Sequence, residues 1–430
     1  MQGLNPPTGR TDPTRGESCV RIRRRDGPHG ACIAMGLHSL RKFSTLGRLG
    51  SRLSASVASP FGLVPGIGFP IGVDFGVGSL KLLQLEEGNP PSLIAAARVD
   101  TPEHLLNDPE RRLMFQFEAL AKIVKQGGFK GKRAACAIPA WATSYKPLQI
   151  NRVEGQSLAS QVEAAISVQL GQDPATLVYR SIETGVGTPA RADVLVLSVT
   201  RELVDRLMGA IVGAKLVPVG MHGEYAATLR AFEPVLKHAA DPTQATLFLD
   251  VGAGSTNLMI AQGTKLVFAR RIDIGGRHLD EAVASQLGVS RAEALAMRTR
   301  VDAPQPVATG AAASGFGTDL SAEQSEVGPS SADLSEPLEI LTDEILLSLR
   351  HHGAQSPGQS VRRVVFIGGE ARRKGLCRHI AHVLRLPAQI ADPMAAIVRT
   401  GSEPCTGVDL RQSQPGWTVP LGVCLSPTDL

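Results

Sequence analysis

The sequence predicts an α/β chain of two facing halves with a smaller α+β unit inserted into the first, and three observations predict it. Ile71–Leu85, IGVDFGVGSLKLLQL, reads as an apolar strand ending in Asp74, a turn of Gly76-Val77-Gly78-Ser79, and a return strand carrying Lys81. Leu247–Leu258, LFLDVGAGSTNL, repeats the pattern with Asp250, Gly252, Gly254, Ser255 and Thr256. Val361–Ile367 is a third buried strand, and it runs directly into Gly368-Gly369 and a helix. Apolar runs bounded by Gly-bearing turns are hairpin signals, and such turns present backbone N–H groups to anions.

Two matching hairpins facing each other across a cleft bring two phosphate loops and two carboxylates together. That is the logic of the actin-like (ribonuclease H-like) two-domain ATPase fold, shared by actin, Hsp70 and the sugar kinases. On this reading the turns at Gly76, Gly78 and Ser79 and at Gly252, Gly254, Ser255 and Thr256 cradle the phosphates of ATP. Lys81 lies near the negative charge. Asp74 and Asp250 hold a hydrated Mg²⁺, an ion that prefers a few carboxylates plus waters and phosphate oxygens. Gly275 and Gly276 close the second hairpin, and Gly368 and Gly369 let a base or ribose approach the backbone.

Length and composition agree with this class. At 430 residues the chain has room for two large cores, and 43% apolar with 20% charged residues is an ordinary globular balance. Of the net charge of +5, +3 comes from the first 34 residues, which carry six Arg and three acidic residues. The rest is nearly neutral, which argues against a nucleic-acid binder of the basic-surface type. The six Cys have no C-x-x-C pair and read as reduced thiols of a cytoplasmic protein. No run of 18 apolar residues is present to span a membrane.

Residues 1–66 read as a basic, disordered leader with an amphipathic helix over 36–54. There Leu40, Phe43, Leu46, Leu49 and Leu53 face away from Arg41, Arg48 and Arg52, a pattern that can rest on an anionic membrane surface. Residues 67–139 form the first subdomain in the order β-β-β-α-β, with its helix over Pro109–Gln126 and a strand over Arg133–Ile138. Residues 140–222 form the inserted α+β unit: helix Gln156–Leu170, strands Val178–Thr184 and Asp193–Val199, and helix Thr200–Val212, with Thr200 at its N-cap. Residues 223–243 return to the first subdomain through a helix from Glu224 to Leu236. The second half spans 244–425, with a return to the first subdomain at its C-terminal end. It carries helices at His278–Leu287, Arg291–Arg300, Pro337–His351 and Ala371–Leu384, with Ser290 capping the second. Residues 301–335, rich in Ala, Pro, Gly and Ser, read as a disordered insertion.

Four segments together resemble the PilM family of type IV pilus assembly proteins. They are the two hairpins, ARRIDIGGRHLDEAVASQLGVSRAEAL (269–295) and VVFIGGEARRKGLCRHIAHVLRLPAQIADP (364–393). The resemblance covers roughly 70–299 and 336–425. It places the inserted unit in the position shared with the cell-division protein FtsA. It implies a cytoplasmic scaffold, peripheral at the inner membrane, that binds ATP between its halves. The scaffold takes the cytoplasmic tail of a PilN-like membrane protein between the first and inserted subdomains. Contact with the pilus motor ATPase and homo-oligomerisation belong to the same expectation.

By the same resemblance Glu293 joins the adenosine site. The chain departs from the pattern at Ala296, where a Lys is usual, and at Glu370, where a third small residue is usual. No side chain stands out as a general base for hydrolysis, so turnover of ATP is expected to be weak at most. The alternatives are a nucleotide-free scaffold like the cytoplasmic domain of GspL, an FtsA-like division protein, or an ATPase or small-molecule kinase of the same fold.

Overall fold

The computed structural model describes residues 68–184, 190–237, 244–301, 317–320, 332–356 and 359–428. The chain divides into Met1–Val64 and Pro65–Leu430, and everything described lies in the second unit. The leader and the helix expected over 36–54 fall outside the described residues.

The first half opens with β1 (Ile71–Phe75), β2 (Ser79–Glu86) and β3 (Ser92–Asp100), an antiparallel meander in which Asp74 of β1 lies directly opposite Lys81 of β2. Helix α1 (Pro109–Gln126) follows. Pro109 at its first position and the Asp108 carboxylate, which accepts from the Arg111 N–H, fix its start. Strand β4 (Arg133–Ile138) then adds parallel to β1.

The inserted unit is smaller than expected. It comprises β5 (Ser144–Asn151), α2 (Leu158–Leu170), β6 (Leu177–Glu183) and β7 (Arg191–Thr200), an antiparallel sheet in the order β5-β7-β6. Helix α2 packs Val162 and Ile166 on Leu148, Ile150 and Val194. The next two elements belong to the first half. Helix α3 (Arg201–Gly213) buries Leu203, Val204, Leu207 and Ile211 in the same core as Leu113 and Leu120, and β8 (Val217–Gly223) pairs parallel with β4. The expected boundary at 222 therefore moves back to about Thr200. Apolar periodicity identified the helix, but only packing shows which sheet it covers. Thr200 takes the N-cap position, although its side chain makes no capping bond.

The helix expected over 224–236 is two, α4 (Glu224–Ala231) and α5 (Glu233–Lys237), broken at Phe232. The second half repeats the first: β9 (Ala245–Val251), β10 (Thr256–Gln262) and β11 (Lys265–Ile272) form an antiparallel meander. Helices α6 (Gly276–Leu287) and α7 (Arg291–Val301) follow, then an edge strand β12 (Gly317–Asp319). That strand lies inside the stretch expected to lack structure, pairs antiparallel with residues 389–391, and leaves Leu320 buried beside it. Helix α8 (Ser335–Gln355), β13 (Val361–Ile367), α9 (Lys374–Leu384) and β14 (Ala388–Ala391) complete the second sheet, in the order β11-β10-β9-β13-β14-β12. The chain then crosses back. Strand β15 (Cys405–Thr406) pairs with β3, and α10 (Thr418–Cys424) is buried along its whole length on the first sheet.

Each six-stranded sheet is thus covered on both faces, which is why its central strands are apolar throughout rather than alternating. Helices α1 and α3 cover one face of the first sheet, and α6, α8 and α9 cover one face of the second. Between the sheets, α4 packs Ala227 against the first and Tyr225 and Leu229 against the second, joined there by Phe232 of the break. This is the actin-like ATPase fold. Among the described residues no helix is long and apolar enough to cross a membrane.

Candidate functional site

The two Gly-bearing turns meet across the line between the halves. A Cβ added to Gly78 would lie 3.2 Å from Ala253 Cβ, and one added to Gly254 would lie 3.1 Å from Val77. Gln116 of α1, fully buried, fixes the first turn by donating to the Gly76 carbonyl at 2.7 Å and to Thr101 Oγ1 at 3.2 Å. The second turn is clasped by the start of α6, where the Gly276 and Arg277 N–H groups donate to the Gly252 and Ala253 carbonyls at 3.0 and 2.9 Å. Gly275 has no room for a side chain there, since a Cβ would sit 2.6 Å from the Gly252 carbonyl oxygen. The hydroxyl of Thr256, buried, donates to the Ile274 carbonyl at 2.8 Å. Ser79 is buried and Ser255 half-buried.

Behind the turns lie the charged groups. Lys81 Nζ donates to Asp74 Oδ2 at 3.1 Å, with both side chains largely covered. Asp250 ends the matching strand of the second half. Loss of water around its carboxyl pushes the pKa up to about 6, nearby Asp74 adds to the rise, and Lys81 and Asn257 oppose it. A third carboxylate completes the group: Glu224, the first residue of α4, accepts from the Ala140 N–H at 2.8 Å. Burial first, then Asp74 and Asp250, raise its pKa well above the usual carboxylate range. Sequence reading missed Glu224, because one Glu after a Gly at a helix start looks like any favourable first-turn acid. Glu224, Asp250, Asn257, Tyr225 and Thr228 line a cavity of about 10 Å³ open to water centres, room for about one water. Among the described residues no three His, Cys, Asp or Glu gather around a metal position.

The remaining expected residues have other partners. Gly368, at φ +90°, presses its backbone onto Asp250: a Cβ would fall 2.3 Å from Oδ1, so only glycine fits. Its N–H donates to the Pro415 carbonyl at 3.1 Å, and Gly416 packs on Gly369, so the tail turn covers both glycines. Glu293 is spent on its own helix. Its Oε2 accepts from Ser290 N–H at 2.9 Å and from Ser290 Oγ at 2.7 Å, while Glu293 N–H donates back to Ser290 Oγ at 3.2 Å. The Ser-x-x-Glu spacing of this capping box was the signal for that role. Glu370 turns inward. It joins Arg298 and Asp280 in a buried ion network over Gly276, a contact no local pattern announces.

A nucleotide with Mg²⁺ does not fit this arrangement. The turns that would straddle its phosphates touch each other, Lys81 is neutralised by Asp74, and Glu370 stands against Gly276.

The model of the type IV pilus assembly protein PilM family matches residues 72–310, more than half of the chain. The chain belongs to the PilM family. Among solved structures, a chain of a PilM-PilN type IV pilus biogenesis complex is similar. It is 22% identical, the match covers 84% of this chain and 98% of that one, and the TM-score is 0.62. The ethanolamine utilization protein EutJ of Carboxydothermus hydrogenoformans (16% identical, 83% and 89% covered, TM-score 0.42) lies further off. So does MreB5 of Spiroplasma citri bound to ADP (14%, 84% and 96%, 0.42). The PilM match extends the fold through almost all of the related chain.

Proposed function

We propose that the chain is a docking scaffold of type IV pilus assembly that takes the cytoplasmic tail of a PilN-like inner-membrane protein, and is held at the membrane through it. The observation that carries this reading is the free edge of the inserted sheet. Strand β6 pairs with β7 alone among the described residues, so its outer N–H and C=O groups are available to an added strand. The opposite edge, β5, is blunted by Pro147 and Lys146, which discourage pairing. Edge β6 also abuts the first half: Arg201 at the start of α3 donates to the Leu177 carbonyl at 3.0 Å, and Val178 packs into the core of the first sheet. A peptide added there lies between the two subdomains. The fold shared with a chain solved in a PilM-PilN complex supports a PilN-like partner. Contact with the pilus motor and self-association would use other surfaces. ATP and Mg²⁺, expected from the two turns, find no room in the arrangement described, so no step of this function is routed through them.

Titration of the full chain with a fluorescent peptide of the partner's cytoplasmic tail tests the proposal, and saturable one-to-one binding is expected. Along a strand, successive N–H groups point to opposite sides. Of Arg180→Pro and Ser181→Pro, one therefore removes an outward N–H and leaves folding intact. That variant should lose at least about tenfold in affinity, the order expected for disrupting an added strand. A tail that does not bind, or binds that variant unchanged, would overturn the reading.

A further inference from the structure

Between Gly276 and the Gly368-Gly369 turn, where a base or ribose is expected to approach, the space is filled by the chain itself. Gly276 opens α6 and is buried, and a Cβ built on it would lie 2.4 Å from Glu370 Cδ and 2.5 Å from Oε1. Glu370 does not lie there by chance. Its Oε2 accepts from Arg298 Nη2 at 2.9 Å, and Arg373 Nε lies 3.9 Å away. The same Arg298 donates through Nε to Asp280 Oδ1 at 2.7 Å and through Nη2 to the Gly276 carbonyl at 3.2 Å. All three charged residues are at most 9% exposed. One guanidinium thus ties together the turn after β13, the start of α6 and the body of α7.

Such a network resists displacement. A ligand that moved Glu370 aside would leave Arg298 short of a partner and force a buried carboxylate to find another, a large penalty in a low-dielectric interior. The other walls are closed too. Val77 covers Gly254, Ala253 covers Gly78, and the Pro415–Trp417 turn covers Gly368 and Gly369. At the rim, Arg291 donates to the Glu103 carboxylate at 3.0 Å and Arg277 bonds Asn107, joining the second half to the first.

We infer that this chain takes no purine nucleotide between its halves: the Arg298–Glu370–Asp280 network occupies the nucleoside position and holds the cleft shut. Docking of a partner tail is then independent of ATP. The exclusion of nucleotide goes beyond the docking proposal and does not rest on it, whereas the independence of docking from ATP does.

Isothermal titration of the full wild-type chain with Mg-ATP to millimolar concentration should give no saturable heat. The affinity for the tail peptide should change by less than about twofold on adding Mg-ATP, because a ligand that does not bind contributes no coupling. Saturable binding by the wild type would overturn the inference, whatever the tail peptide does. The double variant Glu370→Gly with Arg298→Leu, checked for folding by circular dichroism, should gain Mg-ATP binding. A folded double variant that still binds none would show that this network is not what excludes the nucleotide, and the inference would fall. Should the double variant not fold, Glu370→Ser alone, which leaves Arg298 its bond to Asp280, is read the same way.

Discussion

At the scale of single residues, the group behind the turns is three carboxylates and one ammonium, Asp74, Glu224 and Asp250 with Lys81, and its charges do not balance. The consequence is a pH dependence whose sign follows from the raised pKa values. The folded state holds the Asp250 proton up to about pH 6, whereas an unfolded Asp releases it near 3.8. The folded form therefore binds more protons through that window. The stability this provides is full below about pH 4 and lost as pH rises through about 6. Glu224 acts in the same direction. Asp250→Asn removes the penalty and should stabilise the chain at pH 8 by roughly 1–3 kcal/mol, with little effect at pH 4. Thermal melts of both proteins across pH 4–8 check this, and a constant difference would refute it. None of this was legible from LFLDVGAGSTNL alone. The motif marked Asp250 as special, but the raised pKa comes from burial between the two halves and, after it, from Asp74, far away in sequence.

At the scale of elements, the tightest contact lies between two short helices. Helix α10 crosses α4 at Gly422, where a Cβ would come 1.8 Å from the Ala227 carbonyl oxygen. It rests on β1 at Gly72, where a Cβ would lie 2.7 Å from the Pro420 carbonyl oxygen. Backbone against backbone cannot yield by a rotamer change, so Gly422→Ala should cost at least about 3 kcal/mol, the upper end of overpacking penalties. Denaturant melts would measure it, and a loss below about 1 kcal/mol would mean α10 can slide. The capping box at α7 makes a smaller and cleaner case. Ser290→Ala leaves the Glu293 backbone N–H without its acceptor and should cost about 1 kcal/mol. The sequence located α7 as a helix capped by Ser290. It did not show that Gly422 is an obligatory glycine, because the reason is the Ala227 carbonyl on another helix.

At the scale of the whole molecule, the two halves are held by a covered interior and a polar rim. The interior cannot be dissected without unfolding, since Tyr225 and Leu229 of α4 and Phe232 just after it share one core with Phe248 and Met259 of the second sheet. The rim can. Its Arg291–Glu103 pair is partly exposed, so it is worth little to global stability and is screened by salt. Arg277→Ala with Arg291→Ala should therefore lower the melting temperature by only a degree or two. Hydrogen exchange at 76–79 and 252–255 should quicken severalfold, as expected for local opening. High salt should mimic the double variant in the wild type, and exchange unaffected by either would show that the rim does not govern opening.

The sequence by itself determined the duplicated hairpins, the central strands and longer helices that frame each half, and the actin-like architecture. Those follow from local periodicity and turn chemistry, and each is written within a stretch of neighbouring residues. Only the tertiary structure decided where the inserted unit ends, because α3 and β8 have the same periodicity whether they cover one sheet or another. It also decided the fate of the expected nucleotide site. Glu293 and Glu370 were both read from their places in a motif. A carboxylate, however, goes to the nearest cation or N–H that the fold brings up, Ser290 in one case and Arg298 in the other. The phosphate turns remain where their sequence put them. Whether anything can stand between them depends on Val77, Gly254 and a buried arginine, whose meeting is a property of the closed cleft rather than of any single segment.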